Sequence, residues 1–331
     1  MRYIFAFVIV LLSVSGWCKS PDSCRSVQFN ADGELKIVQF TDTHYKPGKK
    51  ASKTATECIA TVLDIEKPDM VVITGDLLYS KRGIEAIDSV MSPIIARGLP
   101  FAFVFGNHDT QFDLSYPEFY DHIASLPGAL MPRRGDSESP DYSVVITSSS
   151  DSASVSAAFY FLDSHGANMV KDCGKYAWLQ HDQVQWYKSM SDSLHRVPAL
   201  MFFHIPLPEM SYADAAEKVP VIGTMGERVC SPELNSGMFS AIKEQGDVKG
   251  VFFGHDHDND FAAEYYGVLL AYGRYSGGKT VYNHLGKPGA RVIMFRSDEP
   301  QLRTWLRLMD GTVLYDVTFA NGKMSERDVG K

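Results

Sequence analysis

The stretch "VKGVFFGHDHDND", residues 248 to 260, runs from an apolar segment directly into two histidines and three aspartates. A short apolar run bounded by glycine reads as a buried strand. The same junction recurs four times. "LKIVQF" (35–40) leads into "TDTH", "MVVIT" (70–74) into "GD", "FAFVF" (101–105) into "GNHD", and "ALMFF" (199–203) into His204. Each run therefore ends in groups that bind metals or move protons. In open α/β sheets ligands gather beyond the carboxyl ends of strands, and neighbouring strands lie about 4.8 Å apart, so these groups can converge. Gly75, Gly106 and Gly254 each precede a polar group, where the lack of a Cβ permits a sharp turn or a close backbone approach.

Amphipathic segments near Thr54–Glu66 and Ile84–Ala96 separate the first three runs, which predicts β-α-β-α-β and a largely parallel sheet. Later runs are "YSVVI", "AAFYFL", "YYGVLLAY", "ARVIMF" and "TVLYDV", with helices near Trp178–Asp192 and Gly237–Glu244. They predict a second sheet packed on the first, with antiparallel strands near the C-terminus. The fold class is thus α/β, a sandwich of two mixed sheets.

Arg2 and the apolar run from Tyr3 to Val14, followed by "SVSGW", read as a signal peptide within residues 1–20, too short for a bilayer span of about 20 residues. The expected location is exported, periplasmic or secreted. A lipid-modified Cys18 is the lesser alternative, because Trp17 suits that processing poorly. Residues 25–331 are expected to form a single domain, since no linker, repeat or like-charge block divides them. The net charge of −8 becomes −10 once Arg2 and Lys19 are removed, which gives no general attraction for nucleic acid or anionic membrane. Cys24, Cys58, Cys173 and Cys230 form no CxxC pair, and three disulfide pairings are open to them.

Residues at i and i+2 of an extended segment point the same way, so Asp42 with His44, and His255 with His257, can face one pocket. The same rule sends Asn107 and His108 in different directions. Asp42, His44, Asp76, Asn107, His204, His255 and His257 offer imidazoles, carboxylates and one amide oxygen, a set for borderline or hard divalent ions. One metal cannot comfortably use all seven. Two metals roughly 3.5–4 Å apart can, with Asp76 between them.

In order and context, "DTH", "GD", "GNHD", His204 and "GHDH" resemble the calcineurin-like metallophosphoesterase superfamily. "FFHIPLPEM", "NSGMFSAI", "GHDHDNDF" and "KPGARVIMF" are similar to its branch of plant purple-acid-phosphatase-like proteins and their fungal and bacterial relatives. The resemblance implies an αββα sandwich and a centre of two divalent or mixed-valence ions (Mn, Fe, Zn, Mg or Ca). It assigns Asp42, His44, Asp76 and His257 to one ion, and Asp76, Asn107, His204 and His255 to the other. His108 would protonate the leaving oxygen or contact the phosphoryl group, with Asp109 orienting its ring. Two bound cations would also give an acidic protein a cationic pocket and activate water for attack on phosphorus. The substrate would be a phosphorylated small molecule, with phosphomonoester hydrolysis the first expectation. The alternatives are a phosphodiesterase acting on nucleotides or lipid headgroups, and a metal-binding interaction protein without turnover. Tyr79 departs from the purple enzymes, in which a tyrosine at that place binds ferric iron and no histidine stands at the place of His44; here it is expected to line the wall.

Other residues carry weaker signals. Asp256, Asp258 and Asp260 are expected as supporting acceptors or turn residues. His165, Arg274 and His284 are candidate substrate-lining groups, with Arg274 at the pocket rim. The stretch from Pro208 to Asn235 is a candidate rim, and 133–141 an exposed turn.

Overall fold

Strands whose every residue is apolar must be covered on both faces, and the fold supplies that cover. The computed structural model describes residues 25–134, 140–215, 219–296 and 301–327, without the side chains of 213–215. The expected signal peptide, Cys18, Cys24 and most of the 133–141 turn lie outside them. The chain begins with β1 (Arg25–Gln28), β2 (Glu34–Phe40), α1 (Lys50–Glu66), β3 (Met70–Thr74), α2 (Gly83–Ile95), β4 (Phe101–Val104) and α3 (Tyr116–Ser125). It continues with β5 (Tyr142–Thr147), β6 (Val155–Phe161), α4 (His181–Ser193), β7 (Ala199–Phe202), α5 (Pro208–Ala215) and β8 (Val221–Ile222). Then follow α6 (Met238–Gln245), β9 (Val248–Phe253), β10 (Ala262–Tyr265), β11 (Val268–Tyr272), β12 (Gly289–Arg296), β13 (Leu302–Leu308), β14 (Val313–Ala320) and β15 (Lys323–Glu326).

One sheet has the order β1-β5-β6-β7-β9-β11-β10-β8, the other β15-β14-β13-β12-β2-β3-β4. Both are mixed. β2, β3 and β4 run parallel in the second sheet, and β6, β7, β9 and β11 in the first, so their carboxyl ends share one rim within each sheet. Alternation sorts the side chains by layer. In β6, Ala157, Phe159 and Phe161 join the core between the sheets, whereas Ala158 and Tyr160 face α4 to α6. Phe159 meets Phe295 of the opposite sheet edge-on, at 5.8 Å between ring centroids. On the other side α1 packs on β2, β12 and β13. The layers are therefore αββα.

The run "YYGVLLAY" is not one strand. It is a hairpin: Tyr265 pairs with Val268 across Tyr266 and Gly267, both with positive φ (45° and 76°), as a tight two-residue turn requires. Helix α3, introduced by a Glu118 carboxylate that accepts from the Ser115 N–H at 2.9 Å, and strands β1, β13 and β15 were not anticipated. No helix among the described residues is long and apolar enough to cross a membrane. Cys58, Cys173 and Cys230 are free thiols.

Candidate metal centre

Three glycines let the strand ends crowd together. A Cβ on Gly106 would stand 2.2 Å from both the backbone nitrogen and Oδ1 of Asp76, and one on Gly254 would stand 1.9 Å from Thr41 Oγ1. Gly75 has φ +82° and abuts Gly106. Any side chain at these places would push β2, β3, β4 and β9 apart at their carboxyl ends. Asp42, His44, Asp76 and His255 all carry positive φ (55°, 42°, 51° and 83°), a cost that non-glycine residues bear where surrounding structure enforces it. Asp42 and His44 thus meet through a turn, not through the pleat of an extended segment, and the same holds for His255 and His257.

Ligand atoms of Asp42, His44, Asp76 and His257, all buried, lie within 4.8 Å of one another. The Asp76 carboxylate is shared: Oδ2 stands 3.5 Å from His44 Nε2 and 3.4 Å from His204 Nε2, while Oδ1 accepts from the His108 N–H at 2.8 Å. On its far side His204 Nε2 faces Asn107 Oδ1 at 3.2 Å, and the His204 ring lies 5.2 Å from that of His255. Asn107 and His108 do diverge, on a turn. The seven residues therefore form two adjoining groups about Asp76.

The donor set fits cations. His204 Nδ1 donates to the Thr74 carbonyl at 2.7 Å and His257 Nδ1 to that of Tyr282 at 2.9 Å, so each ring, once Nε2 has given up any proton, turns a lone pair into the centre. His204 Nε2 faces the oxygens of Asn107 and Asp76, a place that a proton holds in the metal-free protein and a metal ion can take, and His257 Nε2 lies 3.0 Å from His44 Nε2. His44 Nδ1 and His255 Nε2 are buried without a hydrogen-bond partner. Carboxylate, amide and imidazole groups turned on one another, two of the imidazole nitrogens orphaned, suit a positive ion among them. Burial holds His44 and His255 well below the usual imidazole range. Burial opposes the charge on Asp76, yet the histidines around it hold that carboxyl well below its usual value. Burial likewise opposes a proton on His204, but Asp76 and Asp42 raise it to about 10.

His108 lies at the cleft, a concavity of about 250 Å³ that Asp76, Asn107 and His255 also line. Asp109 does not orient its ring. The Asp109 carboxylate accepts from the backbone N–H groups of Asp76 (3.0 Å), Leu77 (2.7 Å), Leu78 (3.3 Å) and Gly106 (2.8 Å), which fixes the Asp76 turn. Gln111 takes the role expected of Asp109: His108 Nδ1 donates to its Oε1 at 2.7 Å, and Gln111 Nε2 donates to the Asn107 carbonyl at 3.1 Å. Gln111 was missed; its i+3 spacing from His108 on a turn was the available signal. Tyr79 packs edge-on against both His44 and His108, at 5.9 and 5.2 Å, as a wall.

Arg274 is not at the rim. It is 3% exposed, ion-paired with Asp260, and donates from Nη2 to the carbonyls of Leu285 and Lys287 at 2.7 Å, so it pins the 274–288 loop internally. His165 Nε2 is paired with Gln183 Oε1 at 3.0 Å, and His284 Nδ1 with Asp258 Oδ2 at 2.5 Å. Neither is among the residues lining the cleft. Asp256 accepts from Tyr272 Oη (2.6 Å) and the Cys230 N–H (3.0 Å). From the Pro208–Asn235 stretch Cys230 reaches the cleft.

Residues 35–259 match the family model described as calcineurin-like phosphoesterase. Among curated proteins the chain is similar to "Probable inactive purple acid phosphatase 29" of Arabidopsis thaliana, 30% identical over 93% of this chain and 92% of that one. It is 31% identical to "Phosphatase DCR2" of Saccharomyces cerevisiae, over 86% of this chain and 55% of that protein. Among solved structures, purple acid phosphatase PPD1 from yellow lupin seeds superposes with a TM-score of 0.54 at 15% identity, covering 89% of this chain and 54% of that one, a likeness of fold. Matched over most of its length and with a buried Asp/His cluster suited to divalent metal ions, the chain belongs to the calcineurin-like phosphoesterase family.

Proposed function

We propose that this protein is a metal-dependent phosphomonoesterase with a dinuclear centre. The observation that carries the reading is the Asp76 carboxylate, whose Oδ2 lies between the Nε2 atoms of His44 and His204 and so belongs to both ligand groups. Asp42, His44, Asp76 and His257 would hold one divalent ion, and Asp76, Asn107, His204 and His255 the other. Such a pair, when bound, activates water and neutralises charge on a phosphoryl group. His108 supplies the proton for the leaving oxygen. With Nδ1–H committed to Gln111, the proton given is the one on Nε2 of the doubly protonated ring, which is left neutral. The apolar run from Tyr3 to Val14 supports export as the setting.

The word "inactive" in the names of Arabidopsis relatives favours a second reading, metal binding without turnover. Against it, this chain brings His108 and all seven candidate ligands to one place. Hydrolysis of matched aryl phosphate mono- and diesters by metal-loaded protein separates the readings. Monoester preference supports the proposal, diester preference makes the protein a phosphodiesterase, and metal binding without hydrolysis of either supports the second reading.

A further inference from the structure

One cation at the cleft has no part in the hydrolytic set. Lys175 lines the cleft in a chain of net charge −8, and no carboxylate among the described residues is ion-paired with it. It is held in place. Its Nζ donates to Tyr176 Oη at 2.8 Å and lies 4.6 Å from the centroid of that ring. The Tyr176 ring in turn packs edge-on against the candidate ligand His255, at 4.6 Å and 88°. The supporting loop is tied to itself: Asn168 N–H donates to the Lys175 carbonyl at 2.9 Å, and Asn168 Nδ2 donates to the carbonyls of Cys173 and Gly174. An ammonium so tethered stands one phenol ring from the metal centre, on the cleft side, with donor capacity to spare because a lysine has three protons to give.

We infer that Lys175, positioned by Tyr176, binds a second anionic group of the substrate, so that the protein selects phosphomonoesters bearing a carboxylate or a further phosphoryl group over esters of neutral alcohols. The inference rests on the reading of this cleft as a phosphoryl site. Lys175 is a specificity residue here and takes no part in bond cleavage. An ammonium at the mouth of a cleft in an acidic protein also offsets the repulsion that an anionic substrate meets on approach.

The test is calorimetric binding of non-hydrolysable ligands to the metal-loaded full chain: phenylphosphonate against its 3- and 4-carboxy derivatives, for wild type, Lys175→Met and Tyr176→Phe. Wild type is expected to bind at least one carboxylated ligand about fivefold more tightly than phenylphosphonate, the scale of one partly exposed ion pair. Lys175→Met is expected to lose that preference while keeping its affinity for phenylphosphonate, and Tyr176→Phe to lose part of it. No preference in wild type, or an equal loss for all ligands in Lys175→Met, overturns the inference. Failure of wild type to bind any phosphonate overturns it together with the phosphoryl-site reading. Preferential binding without hydrolysis of any phosphate ester upholds the Lys175 assignment and rejects only turnover.

Discussion

His204 and Asp76 face each other at 3.4 Å, both fully shielded from water, with the second nitrogen of His204 given to the Thr74 carbonyl. The raised pKa of His204, about 10, means that at neutral pH the metal-free protein keeps a proton on this candidate ligand. Metal uptake must expel it. Calorimetric metal binding in buffers of different ionisation enthalpy is expected to report release of about one proton or more per chain, with affinity falling as pH is lowered. The linkage sign for the chelated protein follows: the His204 contribution to stability is complete below its ordinary value of 6.5 and is lost as pH rises through about 10. Metal uptake without proton release contradicts this.

His108 is tied to Gln111, and its ring nitrogens are not needed by either ligand group. His108→Ala is expected to keep the metal content of wild type and to lose about 10²- to 10⁴-fold in kcat, the usual scale for a general acid. Gln111→Leu is expected to lose about tenfold, since the imidazole remains but its orientation is freed. Elemental analysis alongside steady-state kinetics checks both, and metal loss in His108→Ala counts against the division of roles.

Asp109 serves the fold. Asp109→Ala strips four backbone N–H groups of their acceptor, and is expected to destabilise the chelated protein by about 3–5 kcal/mol in urea unfolding. Gly106→Ala is expected to be as harmful or worse, because its methyl has no room beside Asp76. Stability equal to wild type in either variant would falsify the account of how the Asp76 turn is held.

Arg274 provides the contrast with a substrate-binding arginine. Arg274→Met leaves Asp260 buried without its partner, and is expected to cost about 3–5 kcal/mol of stability with little change in KM under folding conditions. A raised KM at unchanged stability returns Arg274 to the pocket.

The convergence of the candidate ligands was legible in sequence because they follow strands, and strands of unbroken apolar residues are visible without structure. Asp76, His204 and His257 converge for that reason. What was not legible depends on directions set by backbone turns. Asp109 and Gln111 both lie within reach of His108 along the chain, yet only the turn at 107–110 decides that Asp109 points to the amides of Asp76, Leu77 and Leu78 while Gln111 turns to the imidazole. Arg274 was misplaced for a related cause: an arginine after a strand end suits a pocket rim or a buried ion pair equally, and its partner Asp260 lies on a different turn. The β10–β11 hairpin was hidden because its turn is Tyr266-Gly267, a pair that continues the apolar run as well as it reverses the chain. Strand β13, "LRTWLRL", was obscured by arginines that break its apolar pattern; Arg303 pairs with Asp316 and Arg307 with Glu66.

On the proposed function one carboxylate, Asp76, serves two metal ions that drive phosphomonoester hydrolysis. The most direct measurement is metal content per chain, with turnover of an aryl phosphate monoester, for wild type and Asp76→Ala after identical loading and desalting. Two ions and hydrolysis in wild type, with both ions weakened and turnover abolished in Asp76→Ala, is the predicted result. Undiminished turnover by metal-free protein, or a full complement of ions and activity in Asp76→Ala, would contradict it.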